Sequence, residues 1–247
     1  MNNIILSTEN TTAIDPSNFR ILDSNIIHHL KTILNVGESN QCILKIIIPN
    51  VGIGSGRFYL DKNGCFCVEV LEIQQTKGRK IHLGVATTRP PMAKRILEHA
   101  TTLGAASFNF FPAELSEKSY TSSKIYTQDQ AKVHIQKGMA QCSQYFTEPQ
   151  LILFKNLENI LVEFKNRNIP IYWLDIDAPN FFTDSIINQE ILLLIGPERG
   201  WTKQEVEFLN GHDIIGIKLS NSVMRVEFAV NAAFAQIEYI SNRGSNV

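Results

Sequence analysis

The sequence predicts an α/β protein in which a small, strand-rich N-terminal domain precedes a larger domain built on a mostly parallel sheet. Residues 1–75 contain short β-branched runs with room for one helix, whereas strand and helix patterns alternate from Lys80 onward. The segment from Gln74 to Lys80 is polar and contains Gly78. Polar, glycine-containing segments are typical of linkers, so we place the boundary there, between domains 1–76 and 77–247.

Composition restricts the class of protein. The chain has 247 residues, of which 44% are hydrophobic and 19% charged, as in ordinary globular domains. No apolar run approaches the roughly 20 residues that span a bilayer, and residues 1–30 lack the pattern of an export signal. We therefore expect a cytoplasmic protein with no membrane partner. The four cysteines lack zinc-site or disulfide-scaffold spacing, so we also expect no metal.

The N-terminal domain is predicted to be a small β-barrel with one helix. That helix fits residues 24–34, with Ser24 or Asn25 near its cap, and the glycine-rich stretch 49–56 reads as a loop. The predicted strands are residues 3–6, 19–22, 42–48, 57–60 and 65–73.

The C-terminal domain is predicted to alternate strands with helices. Its strands are expected at residues 81–86, 107–111, 151–154, 169–174, 190–195 and 214–219. Most are apolar throughout, which indicates a parallel sheet covered on both faces. Helices are expected at residues 92–103 and 226–240. Two more are expected to begin at capping boxes. One begins at Thr127 with Gln130 and ends near residue 145, and the other begins at Thr202 with Glu205 and ends near residue 210.

Open parallel sheets bind ligands in the loops beyond the carboxyl ends of their strands. Three loops qualify, after Leu174, after Ile195 and after Leu219. The second reads Gly-Pro-Glu-Arg-Gly-Trp from Gly196, where two glycines permit close backbone approach and positive φ. It matches neither a dinucleotide-binding fingerprint nor a phosphate-binding P-loop, and an ordinary turn is the alternative interpretation.

The loop after Leu219 reads Ser-Asn-Ser-Val-Met-Arg-Val-Glu and leads into the last helix. Val223 and Met224 offer an apolar wall for a ligand base, and Arg225 and Glu227 lie at the start of that helix. A surface ion pair beside ordinary core residues is the alternative.

Charge is unevenly distributed along the chain. Residues 76–150 carry 10 Lys or Arg and 5 Asp or Glu, although the whole chain has a net charge of −1. A locally basic segment can bind a polyanion, and a solvated face is the simpler alternative. The candidate phosphate contacts in this segment are Arg89, Lys94, Arg95, Lys118 and Lys124.

The two late loops together resemble the motifs of the RsmE-type ribosomal RNA methyltransferases of the SPOUT superfamily. The family pattern is close to I-G-P-E-G-G-[FW] followed by L-G-x-R-[IV]-L-R-x-E-T-A, and the chain matches it from Ile195 and from Leu219. Weaker similarity runs through residues 28–37, 89–104 and 117–120. The resemblance therefore covers nearly the whole chain in the same order.

The resemblance implies a PUA-like barrel that helps hold RNA, followed by a trefoil-knotted α/β domain, an exception to the rule against threaded chains. It implies a homodimer that methylates a uridine at N3 in 16S ribosomal RNA of the small ribosomal subunit, with S-adenosyl-L-methionine as cofactor. The implied cofactor-binding residues are Leu174, Asp175, Ile195, Gly196, Pro197, Glu198, Gly200, Leu219, Ser220, Val223, Met224 and Arg225.

Uridine N3 carries a proton that must leave before the ring nitrogen attacks a methyl group. Arg225 is the candidate for stabilising negative charge on the uracil ring, and Glu227 or Glu198 for orienting Arg225 or accepting the proton. The two rivals are a SPOUT methyltransferase with another RNA target and a non-catalytic RNA-binding ribosome-assembly protein of the same fold.

The chain departs from the family pattern at several positions, and three of them lose a basic residue. Ser222, Thr32 and Asn35 stand where the family often carries Arg. The other departures are Arg199 and Ser220 in place of Gly, Phe228 in place of Thr, and Asp175-Ile176-Asp177 without a His-Pro pair. The lost charges bear on RNA affinity or target choice more than on cofactor binding.

Overall fold

The computed structural model describes residues 3–76, 78–186 and 189–243. The chain divides into two compact units, one comprising residues 1–78 with 139–148 and the other residues 79–138 with 149–247. Each unit has its own six-stranded sheet.

The first unit contains six strands and one helix. Their bounds are β1 (Ile4–Ile5), β2 (Thr11–Ala13), β3 (Asn18–Ile21), α1 (Ser24–Thr32), β4 (Cys42–Ile48), β5 (Gly52–Leu60) and β6 (Phe66–Gln74). The sheet order is β1-β4-β5-β6-β3-β2, and all pairs except β1 with β4 are antiparallel. Its core surrounds the fully buried Leu30, Ile46 and Phe58.

Helix α1 begins at Ser24 as predicted, but its N-cap differs from the prediction. Asp23 is the N-cap, because its carboxylate accepts the amide hydrogens of Asn25 and Ile26 at 2.8 and 2.9 Å. Those amides have no partner within the helix, so a carboxylate that precedes them fits better than Ser24 itself.

The predicted glycine loop 49–56 is wrong over most of its length, because β5 begins at Gly52. A Cβ at Gly54 would lie 1.8 Å from the carbonyl oxygen of Glu72 on the neighbouring strand β6. These glycines therefore let β5 and β6 approach closely near the register shift between Ser55 and Gly56. In the sequence, glycines that serve this purpose look the same as glycines that mark a turn.

The second unit contains six strands and six α-helices among its described residues. The bounds are β7 (Ile81–Ala86), α2 (Pro90–Thr102), β8 (Ala105–Phe111), α3 (Lys118–Thr121), α4 (Gln128–Ala140, whose last two residues belong to the first unit), β9 (Gln150–Leu153), α5 (Leu157–Asn166), β10 (Ile171–Leu174), β11 (Ile191–Ile195), α6 (Lys203–Gly211), β12 (Ile215–Ile217) and α7 (Val226–Arg243). Short 3₁₀ turns lie at Lys124–Tyr126 and Asp184–Ile186.

The sheet of the second unit confirms the predicted α/β class. Its order is β12-β10-β11-β7-β8-β9, and every pair is parallel. The central strand β11 is buried along its whole length, as its continuous apolar sequence predicts. Helix α5, which the sequence analysis missed, packs against this sheet through Ile160, Leu161 and Phe164.

Helix α4 ends earlier than predicted, and the residues after it join the first unit. Its last residue is Ala140 rather than a residue near 145, and the carbonyls of Ala140 and Cys142 accept hydrogen bonds from Asn3. At the other end of α4, the hydroxyl of Thr127, the predicted cap, donates to the carbonyl of Lys124 at 2.8 Å. Long-range pairing of residues 139–148 with the N-terminal strands leaves no periodic signal in the sequence.

Two other helices follow the prediction closely. In α6 the Thr202 side chain accepts the amide hydrogen of Glu205 while the Glu205 carboxylate accepts that of Thr202, which completes the predicted capping box. Helix α7 buries Val226, Val230 and Phe234 and packs against α2. No helix in the described ranges combines the length and apolar character needed to cross a membrane.

Candidate functional site

The strand order brings the three predicted loops to one edge of the sheet. Strands β12, β10 and β11 are neighbours, so the chain segments that leave their carboxyl ends lie side by side, and β7 is next in the sheet. Together these segments surround a cavity of about 650 Å³. This volume is in the range of small-molecule binding sites, and its position is the one expected for ligands of open parallel sheets.

The lining of the cavity includes every residue that the sequence analysis assigned to cofactor binding. These residues are Leu174, Asp175, Ile195, Gly196, Pro197, Glu198, Gly200, Leu219, Ser220, Val223, Met224 and Arg225. The backbone topology thus brings together three loops whose first residues, Leu174, Ile195 and Leu219, are 21 and 24 positions apart in the sequence.

A fourth segment, which follows β7 and was not predicted from the sequence, also contributes to the cavity. Arg89 and Met92 line the cavity from this segment, and Trp201 and Ile217 complete its apolar walls. The signal was present in the sequence, since Thr-Thr-Arg-Pro-Pro follows a buried strand directly. What the sequence did not provide was the pairing of β7 with β11, which places this loop at the same edge.

The glycines of the loop 196–201 serve two different purposes. Gly200 has φ of 75°, a left-handed conformation that favours glycine, and its amide donates to the carbonyl of Pro197 at 2.9 Å. Gly196, in contrast, is close to a side chain of its own loop. A Cβ at Gly196 would lie 2.9 Å from the indole ring of Trp201. Trp201 is therefore a second reason for glycine at this position, beside the close backbone approach that the sequence predicts at the cavity wall.

Trp201 anchors this loop to the sheet. Its indole Nε1 donates to the carbonyl oxygen of Leu174 at 3.0 Å, and its ring packs edge-on against Trp173 with centroids 6.1 Å apart. The ring of Phe111 lies nearly parallel to that of Trp201, with ring centroids 6.3 Å apart. The loops after β10 and β11 are thus joined by one side chain.

The loop after β12 is held by side chains on both of its sides. Gln236 of α7 donates to the carbonyl of Leu219 at 2.8 Å, and the Ser220 hydroxyl oxygen accepts the amide hydrogen of Ser222 at 2.8 Å. Serine that bonds two residues ahead makes a local turn, so Ser220 can replace the family's glycine by another route.

Glu198 is a fixed, ionised group at the cavity wall. Its Oε1 accepts the Thr88 hydroxyl hydrogen and, at 3.0 Å, the Arg89 amide hydrogen. Burial alone opposes ionisation, but hydrogen bonds from Thr88, from the Arg89 amide and from its own amide outweigh this effect and lower the pKa of Glu198. A carboxylate whose pKa is lowered is a weak proton acceptor.

The structure separates the two candidate residues at the start of α7. Arg225 is exposed, lines the cavity and accepts the amide hydrogens of Phe228 and Ala229 with its carbonyl oxygen. Glu227 is 1% exposed, does not line the cavity, and pairs with Arg95 of α2 at 3.2 Å. The structure thus gives the Glu227 carboxylate a partner on α2 and leaves it out of the cavity wall. Both observations count against the predicted roles of Glu227 in orienting Arg225 and in accepting the proton.

The five predicted phosphate contacts are all exposed, but two of them also contact other parts of the protein. Lys94, Lys118 and Lys124 are solvent-facing. Arg95 is engaged by Glu227, and Arg89 lines the cavity while its Nε donates to the Tyr120 hydroxyl at 3.1 Å. Arg89 therefore lies beside the cofactor loops as well as in the basic segment, because β7 ends next to β11. Within the described ranges, no three His, Cys, Asp or Glu side chains cluster as metal ligands would.

Comparison with known proteins identifies the family. The RNA methyltransferase domain family matches residues 75–238, which is more than half of the chain. The chain belongs to this family. The methyltransferase is 29% identical over 162 residues to ribosomal RNA small subunit methyltransferase E 1 of Borreliella burgdorferi, covering 65% of this chain and 67% of that protein.

Two further relatives agree with this assignment. Ribosomal RNA small subunit methyltransferase E of Treponema pallidum is 26% identical over 221 residues, covering 85% of this methyltransferase and 80% of that protein. The crystal structure of the corresponding Neisseria gonorrhoeae enzyme, bound to S-adenosyl methionine, superposes with a TM-score of 0.74 and 16% identity over 97% of this chain and 98% of that one. The structural likeness shows a shared fold, and the predicted RsmE-type family is confirmed.

Proposed function

We propose that this methyltransferase transfers a methyl group from S-adenosyl-L-methionine to N3 of a uridine in 16S ribosomal RNA of the small ribosomal subunit. The observation that carries the proposal is the single cavity of about 650 Å³ that contains all twelve residues assigned to the cofactor from sequence. The named relatives act on small-subunit ribosomal RNA, which supports the choice of substrate.

The cavity suits S-adenosyl-L-methionine in size and in chemistry. Apolar side chains such as Leu174, Ile195 and Leu219 can enclose an adenine ring, and exposed backbone and hydroxyl groups of the three loops can bind the polar atoms of the cofactor. When bound, the cofactor supplies an activated methyl group, so the protein has to position the acceptor and stabilise its charge.

The chain's own residues can meet both requirements. Arg225 at the cavity wall can donate hydrogen bonds to a uracil carbonyl and so stabilise the negative charge that remains after N3 loses its proton. Glu198 keeps its charge and its position through Thr88 and Arg89, which suits holding the loop better than accepting a proton. Correct placement of the reacting atoms can by itself supply roughly 7–11 kcal/mol.

The proposal extends to the finer fold of both units. We infer that the first unit is a PUA-like barrel that helps bind RNA, which its six-stranded, mainly antiparallel sheet supports. For the second unit we infer the trefoil knot of SPOUT proteins. Strand β12 lies at the edge of the sheet, whereas α7, which follows it, packs against α2 and the inner strand β11, as a chain that re-enters the fold must do.

A homodimer is part of the same proposal, and α7 offers a surface for it. Phe228 and Tyr239 are 54% and 65% exposed on this helix, and Ala235 is exposed between them. Ala233 of the same helix is fully buried within its own unit and is not part of this surface. Light scattering at micromolar concentration is expected to give twice the chain mass of 27.9 kDa, and a mass near 28 kDa would contradict the dimer.

The proposed function is tested in two steps. Calorimetry with S-adenosyl-L-methionine and the purified protein distinguishes an enzyme from a non-catalytic assembly protein, which has no reason to bind the cofactor. Nucleoside analysis of ribosomal RNA from a deletion strain then identifies the target. Loss of N3-methyluridine from 16S RNA is the expected result, whereas loss of a modification elsewhere would support the rival SPOUT enzyme with another target.

RNA binding is expected to depend on the exposed lysines of the basic segment. Charge reversal of Lys118 and Lys124 removes phosphate contacts, so affinity for ribosomal RNA should fall at low salt. The dependence of log affinity on log salt concentration should flatten by about 1.4–1.8 units for the two sites. Filter-binding titrations at several salt concentrations measure both quantities.

The matched control reverses Lys165 and Lys203, which are exposed on α5 and α6 in the acidic part of the chain. It changes net charge equally and should leave the salt dependence near that of the parent. Equal effects of the two double variants would show that net charge, not a docking surface, governs binding.

A further inference from the structure

A buried chain of hydrogen bonds connects the 3₁₀ turn Lys124–Tyr126 with the loop 196–201. The Tyr126 hydroxyl donates to the carbonyl oxygen of Thr88 at 2.7 Å and accepts the amide hydrogen of the same residue at 3.0 Å. The Thr88 hydroxyl in turn donates to Oε1 of Glu198. Thr88 is 0% exposed and Tyr126 is 5% exposed, so water cannot replace these partners freely.

The geometry fixes the direction of the Thr88 side chain. Both backbone polar groups of Thr88 are bound by one phenol, so turning the residue breaks two buried hydrogen bonds at once. Leaving buried polar groups unpaired is costly. The Tyr126 ring is itself held edge-on against Phe110, with centroids 4.9 Å apart. Burial also raises the pKa of Tyr126, so the phenol remains a donor at every physiological pH.

Glu198 is the point at which this chain of contacts meets the cavity. Its carboxylate receives the Thr88 hydroxyl and the Arg89 amide, both from the segment after β7, although it belongs to the loop after β11. The two loops are thereby joined across neighbouring strands, independently of the Trp201 contact with Leu174.

We propose that Thr88 and Tyr126 are positioning residues of the methyltransferase, which hold the Glu198 carboxylate, and with it the loop 196–201, in the conformation that binds the cofactor. This inference rests on the proposed function. Neither side chain is part of the cavity lining, so both act through Glu198 and not by touching the cofactor or the uridine.

The test compares Thr88→Val, which keeps the shape but removes the hydroxyl, with Thr88→Ser, which keeps the hydroxyl. Calorimetry is expected to show at least fivefold weaker binding of S-adenosyl-L-methionine for Thr88→Val and less than twofold change for Thr88→Ser. Cofactor affinity is expected to fall at low pH as Glu198 becomes protonated. In Thr88→Val this fall should begin at a higher pH, because Glu198 loses a hydrogen-bond donor that lowers its pKa. Tyr126→Phe should act in the same direction as Thr88→Val.

A second measurement needs no cofactor. The chain has two tryptophans, and Trp173 is 3% exposed, so acrylamide quenching reports chiefly on Trp201 in the loop. Quenching should increase in Thr88→Val and stay at the parent level in Thr88→Ser. If Tyr126→Phe does not fold, the Thr88 pair still decides the question.

The outcomes separate the two proposals. A parent protein that does not bind S-adenosyl-L-methionine overturns the proposed function, and the inference about cofactor binding with it. A parent that binds, together with a Thr88→Val variant that matches it in affinity, pH profile and quenching, overturns only the positioning role. Equal losses in Thr88→Val and Thr88→Ser would also overturn it, since the hydroxyl would not be responsible.

Discussion

Replacing Arg225 with glutamine is expected to lower the rate of uridine methylation by about 100-fold or more, the usual cost of losing one donor that stabilises charge in a transition state. The exposed Arg225 lines the cavity at the start of α7 and is the cationic residue that we propose binds the uracil ring. Single-turnover methylation of ribosomal RNA measures the rate, and calorimetry measures cofactor affinity separately.

The two measurements distinguish catalysis from binding. Arg225 also contributes to the cavity wall, so a modest loss of cofactor affinity is expected beside the larger loss of rate. The matched control is Arg199→Gln, because Arg199 is exposed in the neighbouring loop and does not line the cavity. A variant at Arg225 with parental rate, or one that loses only cofactor affinity, would remove Arg225 from the chemical step.

Substituting Gly196 is expected to disable cofactor binding by moving Trp201. In Gly196→Ala the new Cβ would lie 2.9 Å from the indole ring, closer than such contacts allow, so Trp201 must shift and its hydrogen bond to Leu174 lengthen. Overpacking of this kind costs about 1–3 kcal/mol. We expect a similar loss in the free energy of unfolding and at least tenfold weaker cofactor binding. Gly196→Val should be more severe.

A double-variant cycle identifies the cause. In a Trp201→Phe background the smaller ring leaves space for the Cβ, so Gly196→Ala should then cost less than it does in the parent, a non-additivity expected of residues in contact. Gly211→Ala is the control, because a Cβ there meets nothing within 4 Å. Additive effects at Gly196 and Trp201 in urea unfolding and calorimetry would contradict this account and favour direct contact of residue 196 with the ligand.

These expectations alter the interpretation of the glycine-rich loop. A pattern of two glycines around Pro197 and Glu198 suggests a backbone that approaches a ligand, and for Gly200 the positive φ supports the need for glycine. For Gly196 the need comes from an aromatic side chain five residues later in the same loop. The sequence contains both residues, but only the folded loop shows that they compete for the same space.

Local sequence signals predicted the elements that depend on local physics. The apolar strands β7 and β11, the capping box of α6 and the amphipathic pattern of α7 all appear where the sequence predicts them. Each depends on side-chain periodicity or on hydrogen bonds between residues three or four positions apart. The strand glycines of β5 were mistaken for a loop, because glycine marks both turns and the close approach of two strands. The end of α4 was misplaced because the long-range contacts of residues 139–148 leave no periodic signal.

The sequence by itself determined the α/β class, the three loops of the candidate site and the family, because each is encoded in short runs of residues in a set order. The tertiary structure alone decided that β7 adds a fourth segment to the site, that Glu227 pairs with Arg95, and that Thr88 hydrogen-bonds to both Tyr126 and Glu198. The physical reason is that these contacts join residues 38 to 132 positions apart, and strand order and helix rotation, which set them, leave no trace in local periodicity.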